Sequence, residues 1–248
     1  MLTEERHSMI IKAVNERASV TIAELAEMLD VSASTVKRDL IILANEGKII
    51  KVRGGAMSRN ESFTSVEKNV EEKASICTEE KMTIAKYAAE LIENGDFVFL
   101  DAGTTTEKMI DYLNVKDVTF VTNGFIHAKK LARKGYKVFI TGGEIKASTE
   151  AIVGAECILT LKNYNFTKCF MGTNGISLTA GFTTPDVNEA RVKSAAIESS
   201  REVYVLADHS KFDEVSSATF AGLGKAVIIT DRIPNRKYNN AADITEGG

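Results

Sequence analysis

The chain reads as an α/β protein carrying a winged helix-turn-helix at its N-terminus and, behind it, a larger domain built on a largely parallel sheet. Three observations carry that reading. Residues 20–56 contain two short helical patterns joined by a tight turn and followed by a basic hairpin. Positive charge gathers from Ala33 to Arg59: Lys37, Arg38, Lys48, Lys51, Arg53 and Arg59 stand against only Asp39 and Glu46, in a chain whose net charge is −3. From residue 78 onward, apolar runs of strand length alternate with helical segments, the pattern of a sheet covered on both faces.

The first helix is expected over residues 4–16, with Met9, Ile10, Ala13 and Val14 turned inward. Thr21 and Glu24 form a T-x-x-E capping box, in which two side chains satisfy orphan amides of a new helix. Ile22, Leu25, Ala26 and Leu29 then share one face. The sequence Asp30-Val31-Ser32 breaks that periodicity, and Ser32 is placed to cap the next helix. Val36, Leu40 and Leu43 give that helix its buried stripe, leaving Ser34, Thr35, Lys37 and Arg38 on the other side. Hydroxyls and cations near the start of a second helix describe a recognition helix for the DNA major groove. Residues 48–53 alternate cations with apolar residues, as a half-buried strand does. Gly54-Gly55 supplies a hairpin turn. The expected DNA-contacting set is therefore Thr21, Ser32, Ser34, Thr35, Lys37 and Arg38, with Lys48, Lys51, Arg53, Gly54 and Gly55 from the wing. The plainer alternative is an amphipathic helical hairpin with a solvated charged face; capping box, helix polarity and basic wing agree against it.

At 248 residues, two domains are the default. The polar stretch after residue 57 marks the boundary: a DNA-binding domain over 1–57, a linker or hinge helix over 58–77, and an α/β domain over 78–248. With 44% hydrophobic residues the chain can bury a core. No apolar run reaches the ~20 residues of a membrane span, and the start MLTEERH is too charged for a signal peptide. Cys77, Cys157 and Cys169 are odd in number and widely spaced, fitting reduced thiols of a cytoplasmic protein. No metal-ligand or nucleotide-binding motif is present, so neither a metal nor a cofactor is expected.

In the larger domain, strands are expected at Phe97–Leu100 and at residues 118–121, 137–141, 168–171, 203–207 and 226–230. A helix over residues 79–93 places Ile84, Ala85, Ala88, Leu91 and Ile92 on one face. Ligands of such sheets bind at the carboxyl ends of the strands. Gly, Thr and Asn recur at nearly all of them: Asp101 to Thr106, Thr122-Asn123-Gly124, Thr141 to Glu144, Gly172 to Gly175, and Asp208 to Lys211. The turn at Gly103, Thr104, Thr105 and Thr106 precedes a helix whose N-terminus attracts an anion, which suits a phosphorylated small molecule. A threonine merely capping the helix is the competing explanation. Lys211 and Lys193 are candidates to neutralise a phosphate, although Lys193 also reads as an i,i+4 surface partner of Glu189. The candidate ligand set is Asp101, Gly103, Thr104, Thr105, Thr106, Asn123, Gly142, Gly143, Lys193 and Lys211. His127 and His209 read as packing residues, with no nucleophile constellation around them.

Taken together, these residues resemble the DeoR-type bacterial transcriptional regulators over essentially the whole chain. The resemblance rests on Glu5-Arg6, Leu25-Ala26, Val31-Ser32, Thr35 to Leu40 and the wing Arg53 to Ala56. In the larger domain it rests on Lys81 with Ile84-Ala85, Asp101 to Thr105, Thr122-Asn123, Gly142-Gly143, Gly175, Gly181 and Asp208 to Lys211. It implies a winged helix joined to a sugar-phosphate sensor of ribose-5-phosphate-isomerase-like fold. Two features depart from the family pattern. Lys37 replaces a common arginine, which keeps phosphate attraction but loses the bidentate fork that reads guanine, and Val52-Arg53 replaces a histidine often found before the paired glycines. The segments MLTEERH, LDAGTTTEKMID, AGFTTPDVNEA and VYVLADHSKF resemble the fructose-operon repressor branch. That branch implies fructose 1-phosphate as the effector relieving repression. The partners implied are double-stranded operator DNA, a sugar phosphate and further copies of the chain, as a dimer or tetramer, because one winged helix offers little surface for operator specificity. The rival from another class is a sugar-phosphate isomerase with an accessory helical domain; against it, the strand ends offer only Asp101, Glu144 and Asp208 as acids.

Overall fold

A computed structural model of the chain describes residues 2–17, 19–52, 54–58, 62–64 and 67–247. Arg53 and Arg59 lie outside the described residues. The chain forms two compact units. One holds the described residues up to Ser58 with Asn235–Tyr238; the other holds the remaining described residues from Ser62 onward.

The N-terminal unit runs α1 (Thr3–Arg17), β1 (Ser19–Thr21), α2 (Ile22–Leu29), α3 (Ala33–Asn45), β2 (Ile49–Val52) and β3 (Gly55–Ser58). Its core is made of Ile10, Val14, Leu25, Leu29, Val36, Leu40, Leu43 and Ile49, drawn from all three helices and the wing. The capping box is present: Glu24 N donates to Thr21 Oγ1 and Thr21 N to Glu24 Oε2. Ser32 caps α3 through the Thr35 amide at 3.2 Å. β1, β3 and β2 form a three-stranded antiparallel sheet. β1 has three residues, too few for a period-2 signature, which is why the sequence does not announce it. Its close approach fixes Gly55, because a Cβ there would lie 2.2 Å from Val20 O. Only Ile49 of β2 is buried. Ile50, Lys51 and Val52 are all exposed, so the ribbon emerges from the core instead of lying half-buried on it.

The buried stripe of α3 contains a charge. Asp39 is 3% exposed and receives two hydrogen bonds from Arg6, at 2.6 and 3.0 Å, and a contact from His7 Nε2 at 3.1 Å. Arg6 and His7 lie on α1, so this forked pair ties α1 to the helix that carries the exposed cations. Buried carboxylates are tolerated only when paired in this way.

The larger unit runs β4 (Ser62–Thr64), α4 (Val70–Ser75), α5 (Thr78–Glu90), β5 (Phe97–Leu100), α6 (Thr104–Tyr112), β6 (Thr119–Thr122), α7 (Phe125–Arg133), β7 (Lys137–Ile140), β8 (Glu144–Lys146), β9 (Ala151–Val153), α8 (Ala155–Lys162), β10 (Phe166–Gly172), β11 (Gly175–Ser177), β12 (Gly181–Thr184), α9 (Val187–Glu198), β13 (Ser200–Leu206), β14 (Glu214–Ser216), β15 (Ala218–Ala221), β16 (Val227–Thr230) and β17 (Asp243–Glu246). Seven strands form one parallel sheet in the order β17-β16-β13-β10-β5-β6-β7. From β5 the chain builds outward through β6 and β7, then returns to the far side of β5 to lay down β10, β13, β16 and β17. The strand order therefore reverses between β5 and β10. α5, α6 and α7 supply Ile84, Ala88, Met109, Ile110 and Leu131 to a core with Val98, Leu100, Phe120 and Phe170 of the sheet. α8 and α9 contribute the buried Cys157, Leu161, Val192 and Ala196. The small strands β8, β9, β11, β12, β14 and β15 decorate the sheet's carboxyl edge and were not legible as apolar runs; β17 carries only Ile244 as a large apolar residue.

The Asp39 clamp sets an acid limit on the N-terminal unit. Its carboxyl is held low by the Arg6 hydrogen bonds, against the upward push of burial and with help from His7. A carboxylate whose folded pKa lies below the unfolded value of about 3.9 stabilises fully above that pH and loses its contribution as pH falls through the folded value. We expect thermal unfolding of this unit to drop steeply below about pH 4. Asp39→Asn should lower the melting temperature at pH 7 and flatten that acid limb, read by circular dichroism and by amide exchange in α1 and α3.

Candidate ligand cavity and nucleic-acid interface

A cavity of about 540 Å³ opens at the carboxyl edge of the sheet where the strand order reverses. In open α/β sheets that reversal is where ligands bind, because the loops leaving adjacent strands diverge to opposite faces. The loop after β5 contributes Asp101 to Thr105, the loop after β10 Gly172 to Asn174, and the loop after β13 Ala207, Asp208, Ser210 and Lys211.

The N-terminus of α6 faces this space without a side-chain cap; its N-cap is Gly103. A capping threonine is thus not what the Thr104-Thr105-Thr106 run provides. Thr106 Oγ1 turns inward instead, 2.7 Å from Asp101 O and 2.8 Å from Gly103 O. His127 Nε2 lies 3.1 Å from both Thr106 Oγ1 and Gly103 O. Asn123 Oδ1 accepts from Ala102 N at 2.9 Å, and its amide donates to Ile152 O. These three buried side chains brace the turn, leaving the first-turn amides of Thr104 and Thr105 for a ligand.

Charge in the cavity is unevenly paired. Lys193 Nζ donates to Asp101 Oδ2 and to Gly172 O, the latter at 3.0 Å, while Gly172 N donates to Asp101 Oδ2 at 3.2 Å. Burial pushes the Asp101 carboxyl up and the Lys193 ammonium opposes it. Glu189, one turn before Lys193 on α9, accepts from Thr149 at 2.6 Å, Lys146 at 3.3 Å and Thr184 at 3.3 Å. Lys193 and Glu189 are both buried and hold different partners, so the surface i,i+4 pair does not form. Lys81, also in the lining, is 4% exposed and donates to Lys73 O. Burial lowers its pKa, with Asp208 pulling upward and Lys211 adding to the depression. Among the described residues neither Lys81 nor Lys211 has a carboxylate within ion-pairing distance.

Of the expected ligand residues, Asp101, Gly103, Thr104, Thr105, Lys193 and Lys211 line the cavity. Thr106 and Asn123 stand one layer behind it. Gly142 and Gly143 do not reach it: they follow β7, the edge strand, two places from β5. Gly143 has a structural role there, with φ 130° and a Cβ position only 2.4 Å from Val153 O. Lining residues absent from the sequence-derived set include Lys81, His127, Thr149, Asn174 and Glu189. Lys81 had a visible sign, because it shares the helical stripe of Ile84, Ala85 and Ala88, where a lysine is out of place. Glu80, His209 and Asp231 bring potential metal-ligand atoms within 4.8 Å of one another. Asp231 is already committed there, to the His209 ring at 2.8 Å and the His209 amide at 2.7 Å.

On the N-terminal unit, Ser34, Lys37 and Arg38 of α3 are exposed, as are Lys48 and Lys51 of the wing and Gly54 at its tip. Thr35 is half-buried. Thr21 and Ser32 are exposed, but their hydroxyls serve the helix caps. Gly55 is buried under β1 and has no surface to offer. Lys48 pairs with Glu46 at 2.9 Å on open surface, a contact of little energetic weight.

Comparison with known proteins bears on both sites. Residues 6–62 match the DeoR-like helix-turn-helix domain, and residues 76–232 match the DeoR C terminal sensor domain. The chain is 42% identical over 246 residues to the uncharacterized HTH-type transcriptional regulator FruR of Bacillus subtilis, covering 99% of this chain and 97% of that protein. It is 36% identical over 232 residues to the lactose phosphotransferase system repressor of Staphylococcus aureus, covering 92% of each. Among solved structures, ribose 5 phosphate isomerase A from Neisseria gonorrhoeae aligns at a TM-score of 0.39 and 17% identity, over 55% of this chain and 53% of that one. That likeness is too distant to bear on function.

The buried His127 makes a measurable demand. Burial lowers its pKa from 6.5 to about 4, against the opposing pull of Glu107 and the Gly103 backbone. The ring is therefore neutral in the folded unit, and its stabilising effect is complete above pH 6.5 and lost as pH falls toward 4. The shift corresponds to up to about 3 kcal/mol across that window. His127→Gln should remove that part of the pH dependence of the larger unit's unfolding, and equal slopes in variant and wild type would contradict the assignment.

Proposed function

Because the chain belongs to the DeoR family of helix-turn-helix transcriptional regulators, we propose that it represses a sugar-utilisation operon and is released from its operator by a phosphorylated sugar, fructose 1-phosphate in the first instance. The observation that carries the sensing half is the unevenly charged cavity at the strand-order reversal. Lys81, Lys211 and the uncapped start of α6 all line it, matching a single phosphoryl group, with Asp208 the acid that acts on Lys81. The lining also offers Thr149, Thr173, Asn174 and two carboxylates, Asp101 and Glu189, suited to the hydroxyls of a sugar. The Lys193 ammonium there is already neutralised by Asp101. A second phosphate would meet net negative charge, so the reading favours a monophosphate over a bisphosphate.

The output half rests on α3. Ser34, Thr35, Lys37 and Arg38 are the residues proposed to enter the major groove, with Arg38 reading a base edge and Lys48, Lys51 and Arg53 holding phosphates. Relatives across the chain's length are named as transcriptional regulators and repressors, and the isomerase alternative is not supported. Asp101 is tied to Lys193, Asp208 accepts from Ser210 at 3.0 Å, and Glu144 is exposed on β8, so these acids form no dyad.

Operator binding measured by fluorescence anisotropy tests both halves. Arg38→Ala should weaken specific binding about tenfold or more and relax base preference, while Lys51→Ala should weaken all sequences alike and reduce the salt slope by about one. Fructose 1-phosphate should lower operator affinity; fructose 1,6-bisphosphate and inorganic phosphate should act weakly. Lys81→Met should leave operator affinity intact and raise the effector concentration needed by about a hundredfold, given the weight of a desolvated charge-assisted contact. Operator affinity indifferent to every sugar phosphate would refute the sensing half.

A further inference from the structure

Resting on that reading of the cavity, we propose that the segment joining the two units is part of the effector site, and that Glu67 is the positioning residue through which cavity occupancy is passed to it. The segment is a wall of the cavity. Thr64, Lys68, Val70, Lys73 and Ile76 all line it, although the sequence marks this stretch only as a connector. Its attachment is polar almost throughout. β4 pairs with β14 over three residues, Val70 N donates to Ser148 O at 3.0 Å, and α4 has no buried residue. Val70, Ala74 and Ile76 are only half-buried, and a segment so shallowly seated belongs to the low-stability end of a protein, where a ligand can bias its docking.

Glu67 links a chain of ion pairs that runs from Lys73 to Glu189, both of which line the cavity. It accepts from Lys73 at 3.3 Å on the segment itself, and from Lys146 on β8. Lys146 also reaches Asp186 at 3.1 Å and Glu189 at 3.3 Å, and Glu189 lines the cavity. With three carboxylates around it, Lys146 is raised to about 12 despite its burial. Any ligand hydroxyl that engages Glu189 therefore alters its claim on Lys146, and with it the strength of the Glu67 tether. Lys81, the proposed phosphate partner, donates to the backbone of Lys73, the residue that also pairs with Glu67. A ligand that engages both Lys81 and Glu189 touches the segment and both of its anchors. It favours the docked arrangement by the contacts it adds there, which is the only way a ligand shifts an equilibrium.

Hydrogen exchange on the full-length protein tests this with fructose 1-phosphate as the probe. Exchange across residues 62–77 should slow at least threefold at saturation. Glu67→Gln should abolish that protection and raise the fructose 1-phosphate concentration for half-release of operator about tenfold, with ligand-free operator affinity within threefold of wild type. Unchanged exchange over residues 62–77, while calorimetry shows binding and the operator is released, would overturn the proposal and leave the sensor reading standing. So would release of operator from folded Glu67→Gln at the wild-type concentration. Absence of any calorimetric binding by sugar phosphates would instead bring down the sensor reading, and this inference with it.

Discussion

The reversal of strand order between β5 and β10 is the constraint on which the larger unit depends. Parallel strands joined by helices leave their loops over one edge, and only where neighbouring strands send their chains in opposite directions do those loops part to leave a space. Here the parting occurs beside Asp101 at the end of β5 and Gly172 at the end of β10, which are hydrogen-bonded to each other. Lys193 bridges the same two points from α9. The buried ion pair thus sits at the floor of the space that the topology opens. Replacing it with apolar residues of equal volume would cost little stability. What would be lost is a fixed floor for a polar ligand.

The same physics explains what was legible in the sequence. The alternation of apolar runs and helical segments announced the parallel sheet, and the Gly, Thr and Asn residues at strand exits announced its functional edge. Which exits converge depends on strand order, and a single sequence does not disclose it. Hence Gly142 and Gly143, chemically similar to Gly103, ended two strands away beside β9. Asn123 has the composition of a ligand residue, but its amide is spent on the Ala102 and Ile152 backbones.

Charges lying in register with buried stripes were the sign most easily overlooked. Asp39 falls among Val36, Leu40 and Leu43, and Lys81 among Ile84, Ala85 and Ala88. In each case a helical face that should be apolar carries one charge, and each finds a partner outside its own helix. For Asp39 the partners are Arg6 and His7, so its place beside Arg38 on α3 reflects architecture; Arg38 alone of that pair faces outward. For Lys81 the partner is a carbonyl of the connecting segment, which leaves two of its three ammonium protons for other acceptors. A period-3.6 pattern reveals such positions only when its exceptions are read as carefully as its matches.

The connecting segment shows why polar docking suits a switch. Regulatory coupling between two ligands is typically worth 1–3 kcal/mol, or about 5–150-fold in affinity. An element seated by several buried aliphatic side chains is held by more than that, at about 1.5–3 kcal/mol per residue, and a small ligand could not shift it far. An element held by a three-residue strand pair, one backbone hydrogen bond and partly solvated ion pairs is held by about as much as a sugar phosphate can add or withdraw. α4 has a capping box, with Asn69 and Glu72 satisfying each other's amides, but at six residues it is far shorter than a helix that holds in water by itself. Its shape therefore depends on its docking. A ligand that tightens the attachment orders the helix as well, so that the state of the cavity is read as order in the segment.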